Sequence, residues 1–336
     1  MLSQMVALKA AGAHLTLICT QEIRDRNPHF SSYIDEYMVI TFTGKPLGDL
    51  RLMRNINRYM TANHIRKAVI NTAQGGHVRN LCLTSSGKTD FTGIIHTVRK
   101  FQGSTTQKII HGKIKKYLVL SDFLLEKIHP PRGIRVSSFY PLEYPRFHKE
   151  VAKPAGETWI TIAGGVENRR KDLDGFVEML RSVEHQNMKF IFLGKSDSSK
   201  PEVTAFKAQL QELGRLEQFV FFDDFIAPEL FDAYLSQTDF LCPLIHPHTP
   251  SAEQYISNQI SGAFNIAYSY RIPMLIHNHY REVADLGMSS FFYETAGFQQ
   301  ALQEAMIHRD AKILEISAVE KWQKDYQQEK FLAFIL

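Results

Sequence analysis

Short apolar runs alternate with longer amphipathic segments along most of this chain. In the second half, segments with helical spacing separate apolar runs of the kind found in buried strands, namely TWITIA, KFIFLG, FVFF, DFLCPL and MLIH. Strands that alternate with helices of about ten to fifteen residues indicate βαβ units and a parallel sheet. We therefore expect an α/β fold.

The first half repeats this alternation but begins with a helix. The helix LSQMVALKA ends near Gly12 and leads into a strand at residues 14–20. Doubly wound domains usually begin with a strand whose glycine-rich turn leads into the first helix. Either the chain is shortened at its start or the first sheet lacks this strand. We therefore expect two Rossmann-like domains, of which the first lacks its first strand.

A proline-rich stretch separates the two halves. Pro141, Pro145 and Pro154 fall in a segment without apolar periodicity, which is typical of a linker between domains. A chain of 336 residues also exceeds the size at which one core usually stops growing. We expect an N-terminal domain at residues 1–148, a C-terminal domain at 149–315, and a final helix at 316–336 that packs back towards the first domain.

Charge is distributed unevenly between the halves. Residues 1–150 hold 22 Lys and Arg against 10 Asp and Glu, a net +12, whereas the remainder holds 17 against 25, a net −8. Arg51, Arg54 and Arg58 recur at steps of three and four and share one face of a predicted helix at residues 50–66. The pattern suits an ordinary solvated face, and it also suits an anionic acceptor or membrane surface.

Several classes of protein are disfavoured. The basic first half lacks the aromatic interleaving of single-strand nucleic-acid platforms, and no G-x-G-x-x-G follows a strand, as a dinucleotide-dependent oxidoreductase would require. No apolar run is long enough to cross a membrane, and Cys19, Cys82 and Cys242 stand at no metal or redox spacing. We expect a cytoplasmic protein that can lie on the inner face of the membrane and binds no nucleic acid.

Ligands of parallel α/β sheets bind at the carboxyl ends of the strands, so the turns there are the candidate sites. One of them, Ser261-Gly262, opens a helix and presents free backbone N–H groups and the positive end of the helix dipole to an anion. A simple helix cap at Ser261 would explain the same residues. The other turns with suitable residues contain Gly75-Gly76, His96, Gly164-Gly165, Gly194 and Asp224-Phe225.

The turns occur in an order that matches a known family. The segments ITIAGGVENRRKDLDGFVEML, FIFLGKSD, FVFFDDFIAPELFDAYLSQTDFLCPL and SGAFNIAYSYRIPMLIHNHYREVADLG carry the match, with GIIHTV, KYLVLSDFLLEKI and IRVSSFYPLEYPRF in the first half. Together they resemble the GT-B glycosyltransferases, and within them the retaining, nucleotide-sugar-dependent enzymes of family 4 (glycosyltransferases group 1). The resemblance spans Leu2 to about Tyr293. It implies two sheets that face across a cleft, with the acceptor on the first domain and the donor on the second.

The resemblance also implies roles for individual residues. His96 would face the donor sugar, and Arg170 and Lys171 would stabilise the charge on the departing nucleoside diphosphate, which makes these three the catalytic candidates. The donor-binding candidates are Gly164, Gly165, Gly194, Asp224, Phe225, Asn258, Ser261 and Gly262. The residues on the acceptor or membrane side are Arg51, Arg54, Arg58, Gly75 and Gly76. No cofactor and no metal is expected, because the nucleotide sugar is a substrate.

The chain departs from the family pattern near its last predicted βα unit. The family usually carries two Glu residues, separated by seven intervening residues, before the Pro of the last strand. Counting back from Pro273 places Asn258 and Ile266 there, and Arg271 replaces the usual small residue and Gly. These changes leave a non-catalytic GT-B protein that binds nucleotide or sugar as the alternative to an active enzyme.

Two His-x-His pairs, His246/His248 and His277/His279, follow neighbouring predicted strands. Four imidazoles could bind zinc, they could donate to phosphate or sugar oxygens, or they could be ordinary polar loop residues.

The leading hypothesis is a hexosyltransferase-like glycosyltransferase that acts in the synthesis of a cell-surface polysaccharide or glycolipid.

Overall fold

The chain forms two units, each built on parallel strands. A computed structural model describes residues 1–85, 87–184 and 187–336. Unit 1 comprises Met1–Glu143, Ser257–Ile260 and Lys324–Leu336, and unit 2 comprises Tyr144–Ile256 and Ser261–Gln323. All strand pairs of the described residues are parallel, so the α/β class predicted from the sequence is confirmed.

The regular elements follow the predicted alternation. The strands are β1 (Thr16–Thr20), β2 (Glu36–Ile40), β3 (Lys67–Ile70), β4 (Asp90–Ile95), β5 (Lys116–Val119), β6 (Arg135–Ser138), β7 (Thr158–Ala163), β8 (Met188–Lys195), β9 (Phe219–Phe222), β10 (Phe240–Leu241), β11 (Met274–His277) and β12 (Ser290–Tyr293). The helices are α1 (Leu2–Ala10), α2 (Gln21–Arg26), α3 (Pro46–Ala62), α4 (Gly76–Thr84), α5 (Thr105–Lys113), α6 (Asp122–Glu126), α7 (Leu173–Ser182), α8 (Pro201–Glu212), α9 (Pro228–Gln237), α10 (Ala252–Ser257), α11 (Gly262–Tyr270), α12 (Ala284–Ser289), α13 (Phe298–Ala318) and α14 (Lys324–Ile335).

Unit 2 has one continuous sheet, whereas the strands of unit 1 divide into two sheets. The order in unit 2 is β12-β11-β10-β7-β8-β9. In unit 1, β1 pairs with β2, and the separate second sheet has the order β3-β4-β5-β6. The described part of unit 1 therefore has no hydrogen-bonded strand between β1 and β3.

Phenylalanine rings fill the core of unit 2. Phe176 on α7 lies against Phe190 and Phe219, with ring centroids 5.3 and 5.9 Å away, and it is fully buried. The apolar side of α7 faces this cluster because its apolar residues recur at helical spacing. Edge-on ring contacts add to the free energy gained by burial, so this cluster fixes α7 on the sheet.

The last predicted helix is broken into separate elements. The sequence predicts one helix at residues 316–336, but α13 ends at Ala318, a 3-10 turn follows at Glu320–Trp322, and α14 begins at Lys324. Trp322 stacks on Tyr268 in unit 2 with ring centroids 4.2 Å apart, whereas Phe331 on α14 is buried in unit 1 against Phe139. The two buried aromatic residues thus belong to different units. The other tryptophan, Trp159, stacks on Tyr234 of unit 2.

The strand predicted at DFLCPL is shorter than expected. β10 contains only Phe240 and Leu241, because Pro243 has no N–H to donate and Leu244 has a φ of +54°. The loop that follows is partly helical, since it includes α10. Among the described residues, every helix is too short or too polar to span a bilayer.

Candidate functional site

The carboxyl ends of β7, β8, β10 and β11 meet along one edge of the sheet of unit 2, because these strands run parallel. The turns at this edge, within unit 2, are residues 164–172, 196–200, 242–256, 261–262 and 278–283. Ligands of such sheets bind at this edge. These turns therefore form the candidate site.

Gly164, Gly165 and Gly194 allow two of these turns to pack backbone against backbone. Gly164 has a φ of +90°, which residues other than glycine rarely adopt. A Cβ on Gly165 would lie 1.8 Å from the carbonyl oxygen of Lys195, and a Cβ on Gly194 would lie 2.4 Å from the carbonyl carbon of Gly164. A larger residue at Gly165 or Gly194 would force the two turns apart.

Lys171 is a buried cation at this glycine turn. Its residue is 6% exposed, and its Nζ lies 3.2 Å from the position that a Cβ on Gly164 would occupy. Within the described residues, the Lys171 amine has no hydrogen-bond acceptor and no salt bridge. Burial lowers the pKa of Lys171 to about 8, an effect that Glu167 opposes and Arg170 increases. A buried amine in this position is stabilised by an external anion.

The arginines before Lys171 lie at the surface. Arg170 Nε is 3.5 Å from Glu167 Oε2, and about half of the Arg170 side chain is exposed. The carbonyl of Arg169 accepts a hydrogen bond from Ser251 Oγ at 2.8 Å, which joins this turn to the start of α10. Of the predicted cationic pair, Lys171 is thus enclosed and Arg170 reaches solvent. Their catalytic roles remain predictions.

Asp172 fixes the turn that carries Lys171. Its Oδ1 accepts a hydrogen bond from the Gly175 N–H at 2.9 Å, which caps α7, and its Oδ2 lies 2.8 Å from His246 Nδ1. His246 Nε2 in turn lies 2.8 Å from the hydroxyl of Tyr293. The hydrogen bond from His246 lowers the pKa of Asp172, although burial opposes this shift. Lys171 is therefore held in place through its backbone neighbour, while its amine stays unpaired.

The four histidines of the two His-x-His pairs do not converge. The rings of His246 and His277 are buried and 5.2 Å apart, whereas His248 and His279 are exposed. His277 Nε2 lies 3.3 Å from Glu294 Oε2, its Nδ1 accepts the His279 N–H, and burial lowers the pKa of His277. In the part of the chain that the structure describes, no three His, Cys, Asp or Glu side chains are placed to hold a metal ion.

The start of α11 has the predicted geometry. Ser261 is the N-cap, and its Oγ accepts a hydrogen bond from the Ala263 N–H at 3.4 Å. Gly262 is exposed, and a Cβ added there would meet no atom within 4 Å. One turn later, Asn265 is 4% exposed and its Oδ1 has no hydrogen-bond partner in the described residues. The helix start is confirmed, and anion binding there remains a prediction.

Asp224 and Phe225 follow β9 at the same edge of the sheet. Both are exposed, and 60% of Phe225 is accessible to solvent. An accessible aromatic ring can stack on a flat ligand such as a base. Their donor roles remain predictions.

In unit 1, the predicted residues lie on two adjoining turns. His96 follows β4 and is exposed, with its Nε2 2.5 Å from the carbonyl oxygen of Asn71. Gln74 Nε2 donates to the carbonyl of Thr97 at 2.9 Å, which joins the turn after β3 to the turn after β4. Gly75 has a φ of +90° and is the N-cap of α4, whose first residue is Gly76. His96 and the glycine turn are therefore close neighbours in the fold.

Asn258 belongs to unit 1. Its carbonyl oxygen accepts the Val98 N–H at 2.8 Å, and its side-chain amide donates to Ser257 Oγ. The structure thus groups Asn258 with the turn that follows His96, although the sequence grouped it with the donor residues. Its donor role remains a prediction.

The arginine helix α3 begins and ends four residues earlier than predicted. It buries Met53, Ile56 and Met60 in the core of unit 1, and it exposes Arg51, Arg54 and Arg58 on the opposite side. Leu47 in its first turn is 76% exposed, which adds an apolar side chain to this basic face.

Solved structures resemble the chain over nearly its whole length. A glycosyltransferase from Rickettsia africae ESF-5 matches it with a TM-score of 0.69 at 11% identity, over 99% of this chain and 92% of the other. Sucrose-phosphate synthase from Thermosynechococcus elongatus gives 0.61 at 14% identity, over 98% and 86%. The fold is GT-B.

A third structure with the GT-B fold is UDP-GlcNAc 2-epimerase from Neisseria meningitidis bound to UDP-GlcNAc. It matches with a TM-score of 0.61 at 10% identity, over 99% of this chain and 94% of the other. No protein-family model and no curated protein sequence matches the chain. At these identities, the likeness establishes two Rossmann-like domains and no activity.

Part of the site could not be found from the sequence. An Asp before an apolar-periodic helix is a cap signal, so Asp172 could have been identified as the start of α7. Tyr293, in contrast, comes from the distant strand β12, and no local pattern links it to His246.

Proposed function

We propose that this protein is a glycosyltransferase that binds a nucleotide-sugar donor on unit 2. One observation carries the proposal: Lys171 is only 6% exposed, and in the described structure its amine has no partner, at a glycine turn on the ligand-binding edge of the sheet. A donor diphosphate would supply the missing anion. The solved GT-B structures support this reading of the site, because one of them holds UDP-GlcNAc.

In this proposal, the diphosphate lies between the glycine turn and the start of α11. Gly164 and Gly165 let the phosphates approach the backbone, and Ser261-Gly262 presents the free N–H groups of a helix start. When the glycosidic bond breaks, negative charge develops on the diphosphate, and Lys171 stabilises it together with the exposed Arg170. These fixed positive charges would stabilise the departing diphosphate without a resident metal ion.

The finer assignments concern the acceptor and the stereochemical outcome of the transfer. A family 4 enzyme would retain the anomeric configuration, with His96 facing the donor sugar as a catalytic residue and Gly75-Gly76 on the acceptor side. The net +12 of residues 1–150 and the exposed arginines of α3 suit an anionic, lipid-linked acceptor at the inner membrane face. Such an acceptor would place the reaction in cell-surface polysaccharide or glycolipid synthesis.

A second candidate is a nucleotide-sugar epimerase. The likeness to UDP-GlcNAc 2-epimerase favours it as an alternative, because the same fold serves that chemistry without transfer to an acceptor. A third outcome is binding of nucleotide sugar without turnover, which the absence of acidic residues at Asn258 and Ile266 would allow.

The donor site is tested by thermal shift with UDP, GDP, TDP and their sugar conjugates. A ligand at 100 times its Kd should stabilise the protein by about 2.7 kcal/mol. Lys171→Met should weaken the binding of the preferred nucleotide about 10- to 100-fold, because a charge-assisted hydrogen bond is lost. The free Lys171→Met protein should melt no lower than wild type, since an unpaired buried charge has been removed.

Lys189→Met is the matched control. Lys189 is the second residue of β8, at the opposite edge of the sheet, and donates to the Glu217 carbonyl, so its loss should leave nucleotide binding unchanged. If no nucleotide shifts the melting temperature, or if Lys171→Met binds as tightly as wild type, the donor site is elsewhere.

Incubation with a labelled nucleotide sugar separates the chemical alternatives. Release of nucleoside diphosphate with labelled sugar on an acceptor supports transfer, and an epimerised nucleotide sugar without release supports the second candidate. Tight binding with neither product would identify a non-catalytic protein.

A further inference from the structure

An apolar cavity of about 800 Å³ lies inside unit 1, between β1 and β3. We call this cavity the strand slot. Its side walls are formed by Leu15–Ile18 and by Lys67–Ile70, and α1, α3 and the end of α14 also line it. The slot occupies the place where the sheet of unit 1 is interrupted.

Both side walls of the slot are free strand edges. In the described residues, β1 pairs only with β2, and β3 pairs only with β4. Alternate residues of a strand with one parallel neighbour direct their N–H and C=O groups away from that neighbour. The backbone groups of β1 and β3 on these free sides therefore lack strand partners at the slot.

The burial of the flanking strands is incomplete. Phe91–Ile95 of β4 is fully buried, as expected for a strand with helices on both faces. Leu17, Ile18, Val69 and Ile70 are only half-buried, although they are apolar and lie in the two strands that flank the slot. The slot is the cavity that leaves these side chains accessible.

The hydrophobic core is divided at the same place. On one face, Ile18 and Ile70 pack in a single cluster with α3. On the other face, Leu17 packs with the first residues of α1, whereas Val69 packs with Ala7 and α14 in a separate cluster. A chain segment in the slot with apolar side chains on both faces would connect these two clusters.

We propose that the strand slot binds one extended, apolar peptide strand supplied from outside residues 1–336. The strand pairs with β1 and β3 at once and converts the two sheets of unit 1 into a continuous sheet. To match β1, it is about five residues or about 16 Å long, at 3.3 Å per residue. Because both faces of the slot are apolar, the strand is a run of Val, Ile and Leu without charge.

A pair of synthetic peptides tests this proposal. The probe is a fluorescent peptide with a central Val-Ile-Val-Ile-Val run and flanking lysines for solubility. The control peptide has the same sequence with one central amide N-methylated, which removes a hydrogen-bond donor and keeps the hydrophobicity. Fluorescence polarisation should show saturable binding of the probe, weakened about tenfold or more in the control, since the N-methyl group removes a hydrogen bond to the strand edge and clashes with the neighbouring strand.

Amide hydrogen exchange locates the bound strand. The probe should protect amides in β1 and β3 and leave β6 unchanged, because β6 is the other edge strand of the same sheet and does not line the slot. Protection at β6, or equal binding of the two peptides, would show non-specific hydrophobic association and overturn the proposal.

Two variants complete the test. Ala68 lines the slot, so Ala68→Phe should fill part of it and weaken probe binding, whereas Ala10→Phe on the exposed end of α1 should not.

Sedimentation without peptide tests whether a second copy of the chain occupies the slot. If β1 and β3 become protected only as the protein dimerises, a second copy covers the slot and the proposal is wrong. Displacement of the probe by a fatty acid but not by excess unlabelled peptide would identify a lipid site instead.

Discussion

At the scale of single residues, Lys171 should make nucleotide binding depend on pH. The protonated amine binds an anion, and its pKa in the free protein is about 8. The affinity for UDP should therefore be nearly constant between about pH 7 and 8, where the terminal phosphate of UDP is ionised, and fall by up to about tenfold per pH unit above pH 8. Calorimetric titrations of wild type and Lys171→Met across this range provide the measurement. The variant should bind weakly and without this dependence, and a flat wild-type profile would contradict the assignment.

Without ligand, Lys171 should affect stability in the opposite direction. Its pKa is lowered from 10.5 to about 8 in the folded protein, so the unfolded chain binds more protons between these values. The free energy of unfolding should therefore rise with pH across this window, relative to Lys171→Met. Denaturant unfolding of both proteins at several pH values checks the sign.

Arg271 is another residue under constraint. It is the C-cap of α11 and has a φ of +56°, the left-handed conformation that glycine adopts most easily. Arg271→Gly should stabilise the protein by up to about 1 kcal/mol, since a left-handed side chain costs roughly 1–2 kcal/mol and glycine gains chain entropy when unfolded. Arg271→Ala keeps the Cβ and should give no such gain in a denaturant titration. Equal stability of both variants would show that this conformation carries no strain.

Residue identity was sufficient to predict the glycine turn and Lys171, because a cation beside glycines at a strand end is a local pattern. It was not sufficient to predict that Lys171 is buried while Arg170 is exposed, since that depends on how this turn packs in the folded unit. Asn258 was assigned from its spacing to Pro273, and spacing along the chain does not determine to which unit a residue belongs.

At the scale of elements, Asp172 joins α7 to the loop after β10. Asp172→Asn should destabilise the protein by about 1–3 kcal/mol, because the cap and the charged partner of His246 are weakened together. Since the pKa of Asp172 is lowered on folding, its contribution is present above the ordinary pKa of Asp and is lost as the pH falls through the lowered value. The difference between wild type and variant should therefore shrink in acid.

Asp174→Asn is the matched control for this element. Asp174 also lies in the first turn of α7, but it is exposed, and among the described residues its side chain accepts only a long hydrogen bond from Gln209, at 3.3 Å. Its replacement should change the midpoint of denaturant unfolding by less than about 0.5 kcal/mol. If both variants are equally stable, Asp172 does not fasten the two elements.

Periodicity predicted the type of most elements and failed where tertiary contacts determine where a helix ends. The segment from Ile316 to Leu336 has continuous helical spacing, yet its helix is interrupted at Val319–Gln323. Trp322 is buried in unit 2 and Phe331 in unit 1, so one straight helix does not serve both contacts. Such a conflict is visible only once the partners of the two rings are known.

At the scale of the whole molecule, the basic face of α3 predicts association with anionic membranes. Arg51→Gln, Arg54→Gln and Arg58→Gln together should reduce sedimentation with phosphatidylserine-containing vesicles, since each cation near such a surface contributes about 1 kcal/mol. The control triple variant Lys149→Gln, Arg181→Gln and Lys200→Gln removes the same charge from unit 2. Equal loss in both would indicate a general effect of net charge, and no loss in either would exclude α3 as the membrane contact.

The alternation of strands and helices predicted the α/β architecture, because a parallel sheet requires that order along the chain. The same pattern suggested that a first strand was missing, but it could not reveal the strand slot. A cavity depends on whether neighbouring strands close over the gap, and that depends on pairing between β1, β3 and the helices above and below them.

The positions of the tryptophans limit what one optical signal reports. Trp159 and Trp322 are the only tryptophans of the sequence, and both belong to unit 2, each stacked on a tyrosine. Selective excitation of the indole rings therefore reports directly on unit 2, and unit 1 has no tryptophan to report its own unfolding. A single smooth fluorescence transition would consequently be no evidence of two-state behaviour, and circular dichroism of the backbone is needed to see whether both units unfold together.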